Sequence, residues 1–172
     1  MQNYFSLFNL PENFSVDLPL LDTNYRKLQA EVHPDKFVTA SAAERLQSMQ
    51  TATLANEAYQ TLKNPTARAR YMLELQGFAT LEESNTAMPT DFLMLQMEWR
   101  EAIEDAKAAK DISALDAQLA TMQKMAKTLQ EHLATALADQ NTLHEAAQIV
   151  RKLSFIDKVS HDVKNIIAQL ED

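Results

Sequence analysis

Cysteine is absent from this chain. That excludes disulfides and thiolate metal sites, and it removes the thiolates that ordinarily hold an iron–sulfur cluster. Glycine occurs once and proline five times in 172 residues. A sheet protein of that length needs many more turn-formers, and a glycine-rich phosphate loop needs several glycines, so neither is expected. No apolar run approaches the roughly 20 residues that span a bilayer. The start, Met1-Gln2-Asn3-Tyr4-Phe5, has neither the basic residues nor the apolar stretch of a secretory leader, and a reducing cytoplasm is the expected location. Positive charge is also scarce. Sixteen Lys and Arg against 24 Asp and Glu leave a net charge of −8, which argues against nucleic acid as a partner. No membrane partner is expected either.

Apolar residues make up 46% of the chain, enough for a core. Ala, Leu, Gln, Glu, Met and Lys dominate, and all are good helix formers. The expected fold class is all-α. Charge divides unevenly: residues 1–76 hold seven cationic and eight acidic side chains, residues 77–172 nine and sixteen. The two halves are therefore expected to meet different partners.

A short helix around Tyr4–Phe8 leads into a loop at Leu10–Leu18, where Pro11 and Pro19 are expected to prevent regular structure. Asp22 and Thr23 are cap candidates for a second helix, whose apolar stripe is Leu21, Tyr25, Leu28 and Val32. Pro34 ends it. A polar loop runs to about Ala40, and Ser41-Ala42-Ala43-Glu44 has the form of a capping box. The third helix reaches about Lys63, with Leu46, Met49, Thr53, Ala58 and Leu62 as its expected buried stripe. Asn64-Pro65 restarts the chain, and a fourth helix, Thr66–Leu75, stops before Gly77. The stretch Phe78–Pro89, with Glu82, Glu83, Ser84 and Asn85, is polar and irregular and reads as a domain boundary.

Three long helices follow, at about 90–109, 113–139 and 142–171. Leu115, Leu119, Met122, Ala126, Leu129, Leu133 and Ala136 alternate at steps of three and four on the middle one. Ile149, Leu153, Ile156, Val163, Ile167 and Leu170 stripe the last, and Thr142-Leu143-His144-Glu145 looks like a second capping box. Such stripes build an antiparallel three-helix bundle.

His33-Pro34-Asp35 sits between two amphipathic helices. Alone the tripeptide says little: proline stops helices, histidine suits a helix C-terminus and aspartate suits a turn. No nucleophile or oxyanion hole accompanies His33 and Asp35 in sequence, so no enzyme activity is expected. His132, His144 and His161 are scattered without an i, i+4 pair, and no metal site or cofactor is expected.

The tripeptide has company, however. The chain reads Tyr25-Arg26-Lys27-Leu28, His33-Pro34-Asp35-Lys36, Asn56-Glu57-Ala58-Tyr59, then Leu62, Asn64-Pro65, Arg68 and Tyr71. That series resembles the J domain throughout residues 1–75. The resemblance implies docking on the ATPase and linker of a DnaK-type chaperone, whose hydrolysis it speeds. His33, Pro34 and Asp35 would make the docking loop, and Arg26, Lys27 and Lys36 would steer toward an acidic surface. Only two cations lie on the second helix and Glu31 offsets one, which suggests a specialised partner.

The remainder, with 76–88 as linker and 89–172 as bundle, lacks the glycine-rich and cysteine-rich modules of general J proteins. On a wheel of about 100° per residue, Phe92, Leu95, Trp99, Ile103 and Ala106 form one face of the first bundle helix. Leu93, Met94 and Met97 fall elsewhere, edged by Glu98, Glu101 and Glu104. Phe155 lies off the centre line of the last helix. These apolar residues either bind a partner or pack against a neighbouring helix or the first domain. Phe37, Phe92-Leu93-Met94 with Glu98 and Glu101, and Arg151-Lys152-Leu153 with Phe155-Ile156-Asp157-Lys158 resemble HscB, the J-protein family of iron–sulfur cluster assembly. That resemblance implies an HscA-like ATPase partner and an IscU-like scaffold as client, held by Leu93, Met94, Met97, Glu98, Glu101 and Phe155. The residues by themselves leave open a J protein for another client and a non-catalytic helical adaptor.

Overall fold

A computed structural model describes residues 2–78 and 88–172. Among them are seven α-helices and no strand. The chain divides into two compact units, one ending at Tyr71 and the other running from Met72 to Asp172. Most of the expected 76–88 linker, including Glu82, Glu83, Ser84 and Asn85, lies outside the described residues.

The first unit holds α1 (Tyr4–Leu7), α2 (Leu18–Glu31), α3 (Ala42–Lys63) and most of α4 (Pro65–Leu75). α2 begins a turn earlier than expected. Asp17, rather than Asp22 or Thr23, is its N-cap, and its Oδ1 accepts the Leu20 N–H at 3.1 Å. Pro19 does not prevent the helix, because it sits in the first turn, where amide N–H groups have no helical partner. Asp22 is left free to take the Tyr59 hydroxyl at 2.7 Å.

α3 buries the expected Ala58 and Leu62, but the N-terminal part of its inner line is not the expected one. Ser48, Ala55, Ala58 and Leu62 are buried, whereas Leu46 is 56% and Met49 63% exposed, and Thr53 is exposed too. Small residues let α2 lie close, so the buried line of α3 is marked by size rather than apolarity. Ser41 caps α3 by accepting the Glu44 N–H at 3.2 Å, which is the serine half of a capping box. Asn64 caps α4 through the Ala67 N–H at 2.9 Å, with Pro65 as the first helical residue. Stacked tyrosine pairs tie the helices: Tyr25 lies on Tyr59 at 4.1 Å between centroids, and Tyr4 on Tyr71 at 4.3 Å.

The second unit opens with the end of α4. Gly77 takes φ +85°, and Phe78 N–H returns to the Leu73 carbonyl at 2.9 Å, a left-handed helix stop that glycine adopts without strain. Then come α5 (Thr90–Ala108), α6 (Ile112–Leu137) and α7 (Leu143–Glu171). Trp99, Ile103, Leu115, Met122, Ile156 and Val163 are central to the bundle core. The predicted core stripe of α5 is buried as expected at Phe92, Trp99, Ile103 and Ala106. On α7 the buried line also runs through Val150 and Val159, which turns Ile149 to a half-buried edge. Thr142 does not cap α7. A short 3₁₀ turn (Gln140–Thr142) precedes that helix, and the Thr142 hydroxyl donates backward to the Ala136 carbonyl at 2.7 Å, near the C-terminus of α6.

Candidate functional site

The residues singled out by sequence fall on two surfaces, one on each unit. On the first unit α2 stops at Glu31, and Val32 N–H closes its last turn on Leu28 at 3.1 Å. His33 is extended, φ −60° and ψ 136°, as the residue before a proline must be. Pro34–Phe37 then winds one 3₁₀ turn, closed by Lys36 N–H on the His33 carbonyl at 3.0 Å. Within that turn the Asp35 N–H donates to His33 Nδ1 at 3.2 Å. The imidazole thus caps the turn that carries it. Asp35 Oδ2 stands 3.6 Å from the same nitrogen. The side chains still face outward, His33 59% and Asp35 88% exposed. Phe37 and Val32 are half-buried at a shallow hollow of about 180 Å³ against α3.

The loop stands on a braced base. Tyr59 Oη donates to Asp22, Gln29 Nε2 donates to Tyr25 Oη at 2.8 Å, and Tyr25 Oη reaches Asn56 at 3.3 Å. The bond to Asp22 raises the Tyr59 pKa above the ordinary phenol value, with desolvation and the carboxylate's charge adding and Arg26 opposing. Sequence reading took Tyr59 only as part of a pattern. Its place as a link between α2 and α3 needed the Asp22 register, which the misplaced helix start hid. Arg26, Lys27 and Lys36 are all exposed. The structure therefore puts an imidazole, a carboxylate and three cations on outward positions of α2 and its loop.

On the second unit Leu93 is 43%, Met94 59% and Met97 71% exposed, and Glu98 and Glu101 are exposed beside them. Phe155 is different. It is half-buried and packs into the core edge, edge-on to Phe92 at 5.8 Å and stacked with Trp99 at 6.3 Å. The sequence missed the cations that cover these rings. Arg100 lies over Phe155 at 5.6 Å and Lys152 over Phe92 at 5.5 Å. Both contacts run between α5 and α7, so no local spacing in the sequence signals them. Among the described residues, no group of histidines and acids is placed to hold a metal ion and no helix is long and apolar enough to cross a membrane.

The family described as "HSCB C-terminal oligomerisation domain" matches residues 88–164. A protein of Paraburkholderia phymatum named "Co-chaperone protein HscB homolog" is 48% identical over 170 residues, covering 99% of this chain and 97% of its own. The chain belongs to the HscB co-chaperone family. Solved structures agree. HscB from Vibrio cholerae superposes with a TM-score of 0.87 at 41% identity, covering 98% of this chain and 99% of that one. Human HscB gives 0.86 at 30% identity, covering 95% and 81%. Membership makes the first unit a J domain and assigns a co-chaperone role in iron–sulfur cluster assembly.

Proposed function

We propose that the His33-Pro34-Asp35 loop docks on a DnaK-type, HscA-like chaperone and stimulates its ATPase, while the bundle delivers an IscU-like scaffold as client. The observation that carries this is the loop itself. It is held in one shape by its own bonds, yet its imidazole and carboxylate face outward. A fixed, exposed set of contacts can favour one conformational state of a partner, and a ligand shifts an equilibrium only by such differential binding. The loop performs no chemistry. Arg26, Lys27 and Lys36 steer the encounter toward an acidic surface, and Asp35 offers its carboxylate to a cation there.

The client end rests on the exposed trio Leu93, Met94 and Met97 edged by Glu98 and Glu101, which is the anatomy of a protein-binding patch. Phe155 contributes the exposed part of its ring and supports Trp99 from behind. Both partners belong to the cytoplasm in this reading. The test is scaffold-dependent stimulation of the cognate chaperone's ATPase. Leu93→Ala/Met97→Ala should remove the scaffold-dependent increment and keep the scaffold-independent one. Equal increments in variant and wild type would show that the patch does not hold the client.

A further inference from the structure

α5 and α7 run side by side in the same direction. The ring and cation contacts fix this, since Phe92 meets Lys152 and Phe155, while Trp99 and Arg100 meet Phe155. Beyond Phe155 the two helices leave a groove of about 450 Å³. Its floor is apolar, from Ile103 and Val159. Its walls carry four charges in order: Arg100 then Glu104 on α5, Lys158 then Asp162 on α7. One end is therefore doubly positive and the other doubly negative. All four side chains are exposed, and among the described residues none of them is in an ion pair.

The groove is continuous with the patch. Leu93, Met97, Arg100 and Glu104 fall within about 60° on the helical wheel of α5. Phe155, Val159 and Asp162 step along one face of α7. Arg100 belongs to both regions, lining the groove while its guanidinium lies on the Phe155 ring.

We propose that the client surface extends from the apolar patch into this groove, which receives a segment of the same client bearing a carboxylate and a cationic side chain about 6 Å apart, one helical turn, with an apolar side chain between them. This rests on the reading that the patch holds the scaffold. The division of labour follows from the chemistry. The apolar patch supplies contact area but little orientation. A groove with opposite charges at its two ends accepts a polar segment in one direction only and so fixes the register of the client. A second copy of this chain is a poor occupant: two concave grooves face to face leave both floors uncovered. In addition, residues 77–172 carry nine cationic against sixteen acidic side chains, so copies repel.

The test is Lys158→Asp/Asp162→Lys, which reverses the α7 wall without changing net charge and leaves Leu93, Met97 and Phe155 in place. Affinity for the purified scaffold protein is measured at two salt concentrations, beside Leu93→Ala/Met97→Ala, with helical circular dichroism as the check on folding. The swap should weaken scaffold binding by about fivefold to twentyfold, and binding should become less sensitive to salt. If the swap perturbs folding, Lys158→Gln/Asp162→Asn, which keeps shape and removes charge, should weaken binding by about threefold. If these variants bind like wild type while the Leu93/Met97 variant does not, the groove proposal is overturned and the patch reading stands. If the Leu93/Met97 variant also binds like wild type, the reading beneath the proposal has failed. A change in sedimentation of the protein alone, with scaffold affinity intact, makes a second copy the occupant and overturns the proposal as well.

Discussion

Arg68 is the buried cation on which the J domain's packing depends most visibly. It is 6% exposed. Its Nη1 donates to the Leu62 carbonyl at 2.6 Å, and its guanidinium lies over the Phe14 ring at 4.9 Å. Leu62 belongs to the last turn of α3, where carbonyls lack helical partners. Arg68 therefore closes the end of α3 from α4 and pins the loop that carries Phe14. Burial alone lowers its pKa, and it stays charged at any ordinary pH. A charged hydrogen bond to a buried carbonyl contributes about 1.5–3 kcal/mol and a desolvated cation–π contact about 2, while removing the guanidinium from water offsets part of both. Arg68→Ala should cost about 3 kcal/mol, roughly a hundredfold in the folded-to-unfolded ratio. Arg68→Met, which keeps the packing of the stem, should cost less. The chain supplies its own reporters. All four tyrosines, Tyr4, Tyr25, Tyr59 and Tyr71, lie in the first unit, and the only tryptophan, Trp99, lies in the second. Urea unfolding followed by tyrosine near-ultraviolet dichroism should show the loss, with Trp99 fluorescence reporting the bundle. A tyrosine midpoint equivalent to less than about 0.5 kcal/mol of change would refute the reasoning.

Other outcomes follow from the same geometry. Because the Tyr59 pKa is raised in the fold, its contribution is complete below the ordinary tyrosine value of about 10 and is lost as pH climbs through the higher folded value. Tyr59→Phe should therefore remove part of the alkaline loss of stability, and thermal melts across alkaline pH that keep the wild-type slope would contradict it. Lys110 holds φ +54° at the turn after α5, where Asp111 N–H returns to the Ala106 carbonyl at 2.9 Å. Lys110→Gly should stabilise the bundle by about 0.5–1 kcal/mol in the Trp99 transition, and a destabilised bundle would be the wrong sign. Leu93→Ala/Met97→Ala should leave that transition within about 0.5 kcal/mol of wild type, since neither side chain belongs to the buried core. A larger loss would mean that they are packing rather than docking residues.

Where one physical signal dominated, the sequence could be read directly. Phe92, Trp99, Ile103 and Ala106 recur at helical spacing, and all four are buried. Asn64-Pro65 and Gly77 mark helix ends by backbone rules that context rarely overrides, and the caps formed there. Reading failed where two signals competed. Pro19 looks like a breaker, yet it is harmless in the first turn of α2 once Asp17 caps it. On α3 the expected Ala58 and Leu62 are buried, but the rest of the inner line was hidden because it runs through the small residues Ser48 and Ala55, while Leu46 and Met49 remain outside. Thr142 satisfies the helix behind it instead of the one ahead. At the loop, sequence located His33 and Asp35 but not the bond by which one holds the other. The cations over Phe92 and Phe155 were equally invisible, since they depend on how two distant helices pair.

The central claim is that the His33 loop is what the chaperone reads. The most direct measurement is the steady-state ATPase rate of the cognate DnaK-type chaperone, without scaffold, as this protein is titrated in beside His33→Gln. His33→Gln replaces the ring whose Nδ1 takes the Asp35 N–H and should abolish stimulation while the helical content stays at the wild-type level. Full stimulation by that variant would contradict the account.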